Sequence, residues 1–194
     1  SIATKGKMHY QEVQGYWIPV GYPWQILEAN ELLLKDNPCS IKGTIEEGVM
    51  IEGNVDIGEG SLVKSGTLLK GNIVIGENCI IGENCIITGH TAIGDGSTIG
   101  KGCGLENSIV GVNSKLGKCC TLKDSVLGDS VEISAGVRIE NTGKSSGTVK
   151  IKSNGKLFDS GKDKLGAFIA DKTKIDKHLE SGDCVVCDHL QHNP

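Results

Sequence analysis

The sequence predicts an all-β fold, a parallel β-helix, and three observations carry that prediction. An aliphatic residue recurs at every sixth position from Ile45 through Ile51, Ile57, Val63, Leu69, Ile75, Ile81, Ile87, Ile93 and Ile99 to Leu105. The chain of 194 residues holds 28 glycines, and only 4% of it is aromatic although 38% is hydrophobic. A period of six fits neither the 3.6 residues of an α-helix nor the alternation of a simple strand. It is the period of hexapeptide β-helix repeats, in which each hexad supplies a short strand and a turn, and three hexads complete a coil. Identical narrow coils need small aliphatic residues and turn glycines where an irregular core would use aromatics.

Four residues after each aliphatic lies a second inward position. It is occupied by Val49, Val55, Ser61, Thr67, Ile73, Cys79, Cys85, Thr91, Ser97 and Cys103, small or β-branched as a cramped coil corner requires. Glycine often follows the aliphatic, as at Gly58, Gly76, Gly82, Gly94 and Gly100, where a positive φ or close packing makes it useful. The phase slips by one at Val110, runs through Leu116 and Leu122, slips again at Leu127 and continues to Ile133 and Ile139. A five-residue step reshapes one corner, a place where a site can be built; the alternative is a tolerated deletion in a turn.

The chain has 8 cysteines, which in a short secreted chain would read as a disulfide framework. Position argues otherwise: Cys79, Cys85, Cys103 and, in the shifted phase, Cys120 fall in the small inward slot, where a free thiol behaves as a small hydrophobe. A net charge of -4 without a basic face argues against nucleic-acid binding. No apolar run reaches the roughly 20 residues of a membrane span, and no charged-then-apolar leader opens the chain. The expectation is a soluble cytoplasmic protein.

Before the repeat, Pro23 opens the run PWQILEANELLLK, with Ile26, Leu27, Asn30 and Leu34 spaced for one helical face and Asp36-Asn37-Pro38 as the stop. A helix here is expected to cap the open end of the solenoid, whose apolar cross-section is otherwise unpaired. The earlier stretch MHYQEVQGYWIPVG carries most of the aromatics and reads as a strand or hairpin of a different structure. After Asn141, the lysine-, serine- and glycine-rich segment TGKSSGTVKIKSNGKLFDSGKDKLGAF predicts a projecting hairpin before Ile169 and Ile175 resume the six-step. Its lysines Lys150, Lys152, Lys156, Lys162 and Lys164 form either a solvated face or a site for an anionic ligand such as a phosphate or coenzyme A.

GYWIPVGYPWQILEAN, the hexapeptide helix, VLGDSVEISAGVRIEN and KLGAFIADKTKI together resemble the carboxy-terminal part of sugar-1-phosphate nucleotidyltransferases. The resemblance is to the bifunctional kind, UDP-N-acetylglucosamine pyrophosphorylase with glucosamine-1-phosphate acetyltransferase, and covers all but the last dozen or so residues. It implies a left-handed coil, a homotrimer, and a sugar phosphate or sugar nucleotide as ligand. It divides the chain into the end of a nucleotidyltransferase domain (1–22), a linker and capping helix (23–38), the β-helix (39–187) with a basic hairpin inserted near 142–164, and a tail (188–194). The body of that domain, with its magnesium, would lie upstream; where the family's GYWxDxG has an acidic magnesium ligand this chain has Pro19, which offers no side-chain ligand atom.

For acetyl transfer the family uses a histidine as the base that takes a proton from the sugar amine. Its place is taken here by Lys118 in Lys118-Cys119-Cys120-Thr121, and an ordinary lysine is protonated at pH 7 and cannot be the base without strong desolvation. Asn141 and Lys164 match family residues that bind substrate or acetyl-CoA. The main expectation is therefore a β-helix region that trimerises the enzyme and binds a ligand between subunits. The alternatives are an acetyl-CoA-dependent acetyltransferase of an amino-sugar phosphate and a non-catalytic regulatory or scaffold module. His90, in the turn after Ile87, is expected to point outward and is a second candidate base. Cys184, Cys187, His189 and His192 are suitable zinc donors in type, but they come from one short segment where zinc sites draw on two, so no metal site is expected.

Overall fold

The aliphatic ladder closes into the expected parallel β-helix. The computed structural model describes residues 15, 17–142, 147–153 and 156–185. Ile57, Val63, Leu69, Ile75, Ile81 and Ile87 are each no more than 1% exposed, and the second inward position is buried throughout except at the partly exposed Val49 of the first coil. Strands pair in parallel from coil to coil, making one seven-stranded sheet and one eleven-stranded sheet that folds around the remaining sides. Backbone amides donate to the coil above, as Gly58 N does to Ile75 O at 2.8 Å and Gly76 N to Ile93 O at 2.8 Å.

Register records the two slips. Ile57 pairs with Ile75 and Ile75 with Ile93, 18 residues apart, but Ile93 pairs with Val110 and Val110 with Leu127, 17 apart. The glycines that follow the inward aliphatic lie outside the left-handed region, so close packing is their reason: a Cβ on Gly82 would stand 2.5 Å from Lys101 N, and one on Gly100 2.6 Å from the Gly117 carbonyl carbon. Cys79, Cys85, Cys103 and Cys120 are buried and free, with each thiol against a carbonyl of the next coil.

The segment opened by Pro23 forms the helix α1 (Trp24–Lys35), but not as an end cap. It packs along the flank of the coils, against the strands Leu68–Ile75 and Ile86–Ile93 and against Val126–Leu127. The reason is Trp24, which is 7% exposed and joins Val149, Ile151, Leu165 and Phe168 in a second apolar cluster beside the solenoid. Asn30 donates to His90 O at 2.9 Å from the same side, while Ile26 stays largely exposed. The inserted segment is an antiparallel hairpin, Lys150–Ser153 with Lys156–Asp159, after which Ile169 and Ile175 rejoin the coils opposite Leu127 and Ile133. Tyr22 stacks on Trp24 with centroids 4.5 Å apart and approaches Phe158 of the hairpin at 6.0 Å. The stretch MHYQEVQ lies outside the described residues, and residues 17–21 form no regular element.

Candidate functional site

One corner of the coil changes along the chain. In the early coils it is a two-residue step inside an unbroken strand of 8 residues: Gly53-Asn54, Gly71-Asn72 and Gly89-His90. Each glycine there has positive φ, and a Cβ on Gly53 or Gly71 would strike the carbonyl oxygen of the glycine above at 2.4 Å. In the next two coils a single residue makes the corner, Asn107 and then Asp124, both with φ 46°. One residue fewer draws the corner inward, and the inward side chain beside it is smaller in the shortened coils, where Ser108, Ser125 and Ala167 follow Val55, Ile73 and Thr91. The hydroxyls in that column accept from the coil above, Ser125 N donating to Ser108 Oγ at 3.3 Å and Ala167 N to Ser125 Oγ at 3.1 Å.

The retracted corner is the floor of a cavity of about 410 Å3. Trp24, Leu27, Glu28 and Glu31 of α1 form one wall, His90, Asn107 and Asp124 the coil side, and Lys162, Lys164 and Leu165, after the hairpin, the other wall. A ladder of side chains fixes the coil side. His90 N donates to Asn107 Oδ1 (3.0 Å), Asn107 Nδ2 to Asp124 Oδ1 (3.4 Å), and Asn141 Nδ2 to Asp124 Oδ2 (2.7 Å). Glu28 pairs with Lys162 at 2.6 Å, tying α1 to the returning chain. Leu165 N donates to Asn141 O and Gly166 N to Asp124 O, which fastens that chain onto the corner. The Glu31 carboxyl is held below its ordinary range, first by its hydrogen bond from Lys35, with the nearby His90 adding to the effect against partial desolvation.

The structure thus brings together His90 and Lys164, with Asn141 one hydrogen bond behind Asp124. His90 is half-buried in the cavity wall and has Glu31 as an acidic neighbour across it. Lys118 is elsewhere: it is exposed on a different corner, where its carbonyl accepts from Gly136 N. Of the cysteine–histidine set only Cys184 is described; Cys187, His189 and His192 lie outside the described residues. Among the described residues no cluster suits a metal ion. Sequence reasoning missed Asn107, Asp124 and Glu31. The first two carried a signal, since Asn107, Asp124 and Asn141 recur at the shortened coil length, but Glu31 comes from an element whose packing the repeat does not dictate.

Fold and cavity define a hexapeptide-repeat β-helix protein with a side helix closing a polar hollow at one corner. The sequence profile of the GMPPB C-terminal domain matches residues 51–154, and the chain belongs to that family. It is 35% identical over 169 residues, 87% of its length, to a bifunctional sugar-1-phosphate nucleotidylyltransferase/acetyltransferase of Sulfurisphaera tokodaii, 42% of which is covered. It is 41% identical over 63 residues, 32% of its length, to the bifunctional protein GlmU of Methanococcus maripaludis, 15% of which is covered. The chain therefore spans less than half the length of these relatives. Among solved structures, perosamine N-acetyltransferase from Caulobacter crescentus, bound to CoA and GDP-perosamine, aligns with a TM-score of 0.41 at 14% identity, over 63% of this chain and 56% of that one. The acetyltransferase domain of PglB from Neisseria gonorrhoeae aligns with a TM-score of 0.40 at 18% identity, over 69% and 64%.

Proposed function

We propose that the chain is the β-helix module of a GlmU-like sugar-1-phosphate nucleotidyltransferase, that three copies assemble through an apolar face of the coils, and that the α1 cavity takes a sugar phosphate or sugar nucleotide. The cavity carries the reading. It sets one ammonium, Lys164, against hydrogen-bonding amide and carboxylate groups, the complement of a ligand with a hydroxylated ring and an anionic end. Assembly is supported by a stack of outward side chains, Met50, Leu68 and Ile86, flanked by Leu62 and Ile80. Of these Met50, Ile80 and Ile86 are 45–55% exposed, outward apolar side chains of the kind that mark an interface. In this reading residues 1–22 end a nucleotidyltransferase body that supplies the magnesium, and the enzyme is cytoplasmic; no helix among the described residues is long and apolar enough to cross a membrane. Sedimentation of the chain should give a trimer, and titration calorimetry with a hexose 1-phosphate should show saturable binding. A monomer would remove the assembly, and absence of heat the ligand.

A second reading, acetylation of an amino-sugar phosphate, is favoured by one observation: His90 lines the cavity with Glu31 beside it. His90 would take the proton as the sugar nitrogen bonds to the acetyl carbon, and the carbon–sulfur bond of the thioester breaks to release the thiol. Acetyl-CoA would supply the acyl group, with Lys164 in the cavity wall to hold it and Asn141 acting through its hydrogen bond to Asp124. Thiol release from acetyl-CoA with glucosamine 1-phosphate tests this reading, and turnover at background removes it.

A further inference from the structure

Three thiols stand one above another inside the coils. Leu68 N donates to Cys85 O, Ile86 N to Cys103 O and Gly104 N to Cys120 O, each at 2.9 Å, and Thr121 N to Val137 O at 3.0 Å, so Thr67, Cys85, Cys103, Cys120 and Val137 form one inward column. Thr67 and Val137 show that a hydroxyl or a pair of methyls also fills this slot, so space alone does not call for sulfur. Cys79, by contrast, sits in another column between Ser61 and Ser97, with no thiol above or below it. Within the thiol column, Cys103 and Cys120 are joined by a shortened coil, and their sulfurs are within hydrogen-bonding reach of each other. Each also lies against a carbonyl of the following turn, Cys103 Sγ at 3.0 Å from Gly117 O and Cys120 Sγ at 3.2 Å from Ser134 O. The hydrogen bond from Cys103 holds the Cys120 thiol below the ordinary thiol range against desolvation, and the same contact, with burial, pushes Cys103 up. Neither thiol touches the α1 cavity.

We infer that Cys103 and Cys120 are an oxidation site, a dithiol that a peroxide closes to a disulfide between neighbouring coils of the folded chain. Parallel pairing of Gly104 with Thr121 sets the two cysteines level with each other. Paired strands lie about 4.8 Å apart, inside the roughly 4.4–6.8 Å that Cα atoms span across a disulfide. In the first step the Cys120 thiolate attacks one peroxide oxygen and the O–O bond breaks. The sulfur becomes a sulfenic acid, and the other oxygen leaves as water with the proton of the thiol. In the second step the Cys103 sulfur attacks the Cys120 sulfur, the S–O bond breaks, and the hydroxyl leaves as a second water with the Cys103 proton. Two electrons pass from the sulfurs to the peroxide. Cys120 directly follows the exposed Lys118-Cys119 of the turn, whose local opening admits a molecule little larger than water. The bond ties the strand Gly104–Glu106, which runs into Asn107, to Thr121–Lys123, which runs into Asp124, next to the contracted corner.

Hydrogen peroxide treatment of the reduced full chain, followed by alkylation of the remaining thiols in urea and non-reducing tryptic mapping by mass spectrometry, tests this. Trypsin releases Cys103 within residues 102–115 and Cys120 within residues 119–123. The expected result is these two peptides joined and two hydrogens lighter than their sum, while Cys79, which has no thiol neighbour, is recovered alkylated. Because Cys119 shares the second peptide, the map is repeated on Cys119→Ser, a residue type that Ser130 shows fits a left-handed turn of this helix. The link should persist there, and it should persist in Cys85→Val, which removes the third thiol of the column. Recovery of Cys103 and Cys120 as alkylated thiols overturns the site. A link from Cys103 to Cys85 or Cys119 overturns the pairing, and a link that forms only when peroxide is added in urea shows that the folded coils do not carry it.

Discussion

The coils before Leu105 and those after it share one core but differ by a residue at one corner. Inward aliphatics remain nearly fully buried on both sides of the change, from Ile87 at 0% exposure to Leu122 at 0%. Seen from the other two corners the repeat is uninterrupted: Ile81, Ile99, Leu116 and Ile133 stack in register through both slips. Only the third corner contracts, and only there do α1 and the returning chain after the hairpin enclose a polar hollow. In a solenoid each coil contacts only its neighbours. A local change of length can therefore be absorbed by two turns and exploited as a surface recess, without a cost spread through the core.

If the core is continuous, truncation should cost the same on either side of the change. Ile87→Ala and Leu122→Ala are each expected to lose about 2–5 kcal/mol, read as the shift in urea midpoint at constant slope. A much smaller loss at Leu122 would mean that the shortened coils are loosely packed. A smaller effect separates crowded from open glycines. Gly82→Ala drives a Cβ to 2.5 Å from Lys101 N, whereas nothing lies within 4 Å of a Cβ on Gly104. The first should cost about 1–3 kcal/mol through forced separation of coils, and the second should leave stability within about 0.5 kcal/mol. Equal effects would show that coil spacing is not set by the glycine column.

The contrast between the corners can also be removed. Inserting one glycine before Asn107 and another before Asp124 restores the Gly-X step of the earlier coils and should refill the recess. The expected outcome is a folded chain with at least about tenfold weaker binding of a sugar phosphate, or about 1.4 kcal/mol. Retained affinity would place the ligand elsewhere.

How much of this was legible beforehand follows from which forces were local. Spacing alone located the inward ladder, the buried thiols, both slips and the resumption at Ile169, because a six-residue coil repeats its own environment. It also marked His90 as a polar residue in a turn, while Lys164 was singled out by the lysine-rich segment and by the family resemblance. It could not show that they face one cavity, since 74 residues separate them and the chain between makes two shortened coils and a hairpin. The placement of α1 was misjudged for a similar reason. Ile26, Leu27, Asn30 and Leu34 suggested a stripe for an end cap, but burial of Trp24 against Val149, Ile151 and Phe168 decides the packing, and those partners lie in an insertion with no repeat to read.

The smallest effect concerns the helix that covers the contracted corner. Glu31 bonds Lys35 at 2.9 Å, and both side chains are nearly half exposed, so their pairing should be worth well under 1 kcal/mol after screening. Its sign with pH is nonetheless defined. The folded-state carboxyl lies below the ordinary value of 4.5, so its contribution is present above that value and is lost as pH falls through the folded-state one. Glu31→Gln should accordingly lower stability by a few tenths of a kcal/mol at pH 7 and by progressively less as the pH is lowered below 4.5, as read from paired urea titrations. Because His90 also favours the charged carboxylate, the same substitution in a His90→Gln background should give a smaller difference at pH 6. An undiminished difference would mean that Glu31 has no electrostatic link to His90 across the cavity and that the helix is held over the corner by other contacts, among them Trp24, the Glu28–Lys162 pair and the Asn30 to His90 O hydrogen bond.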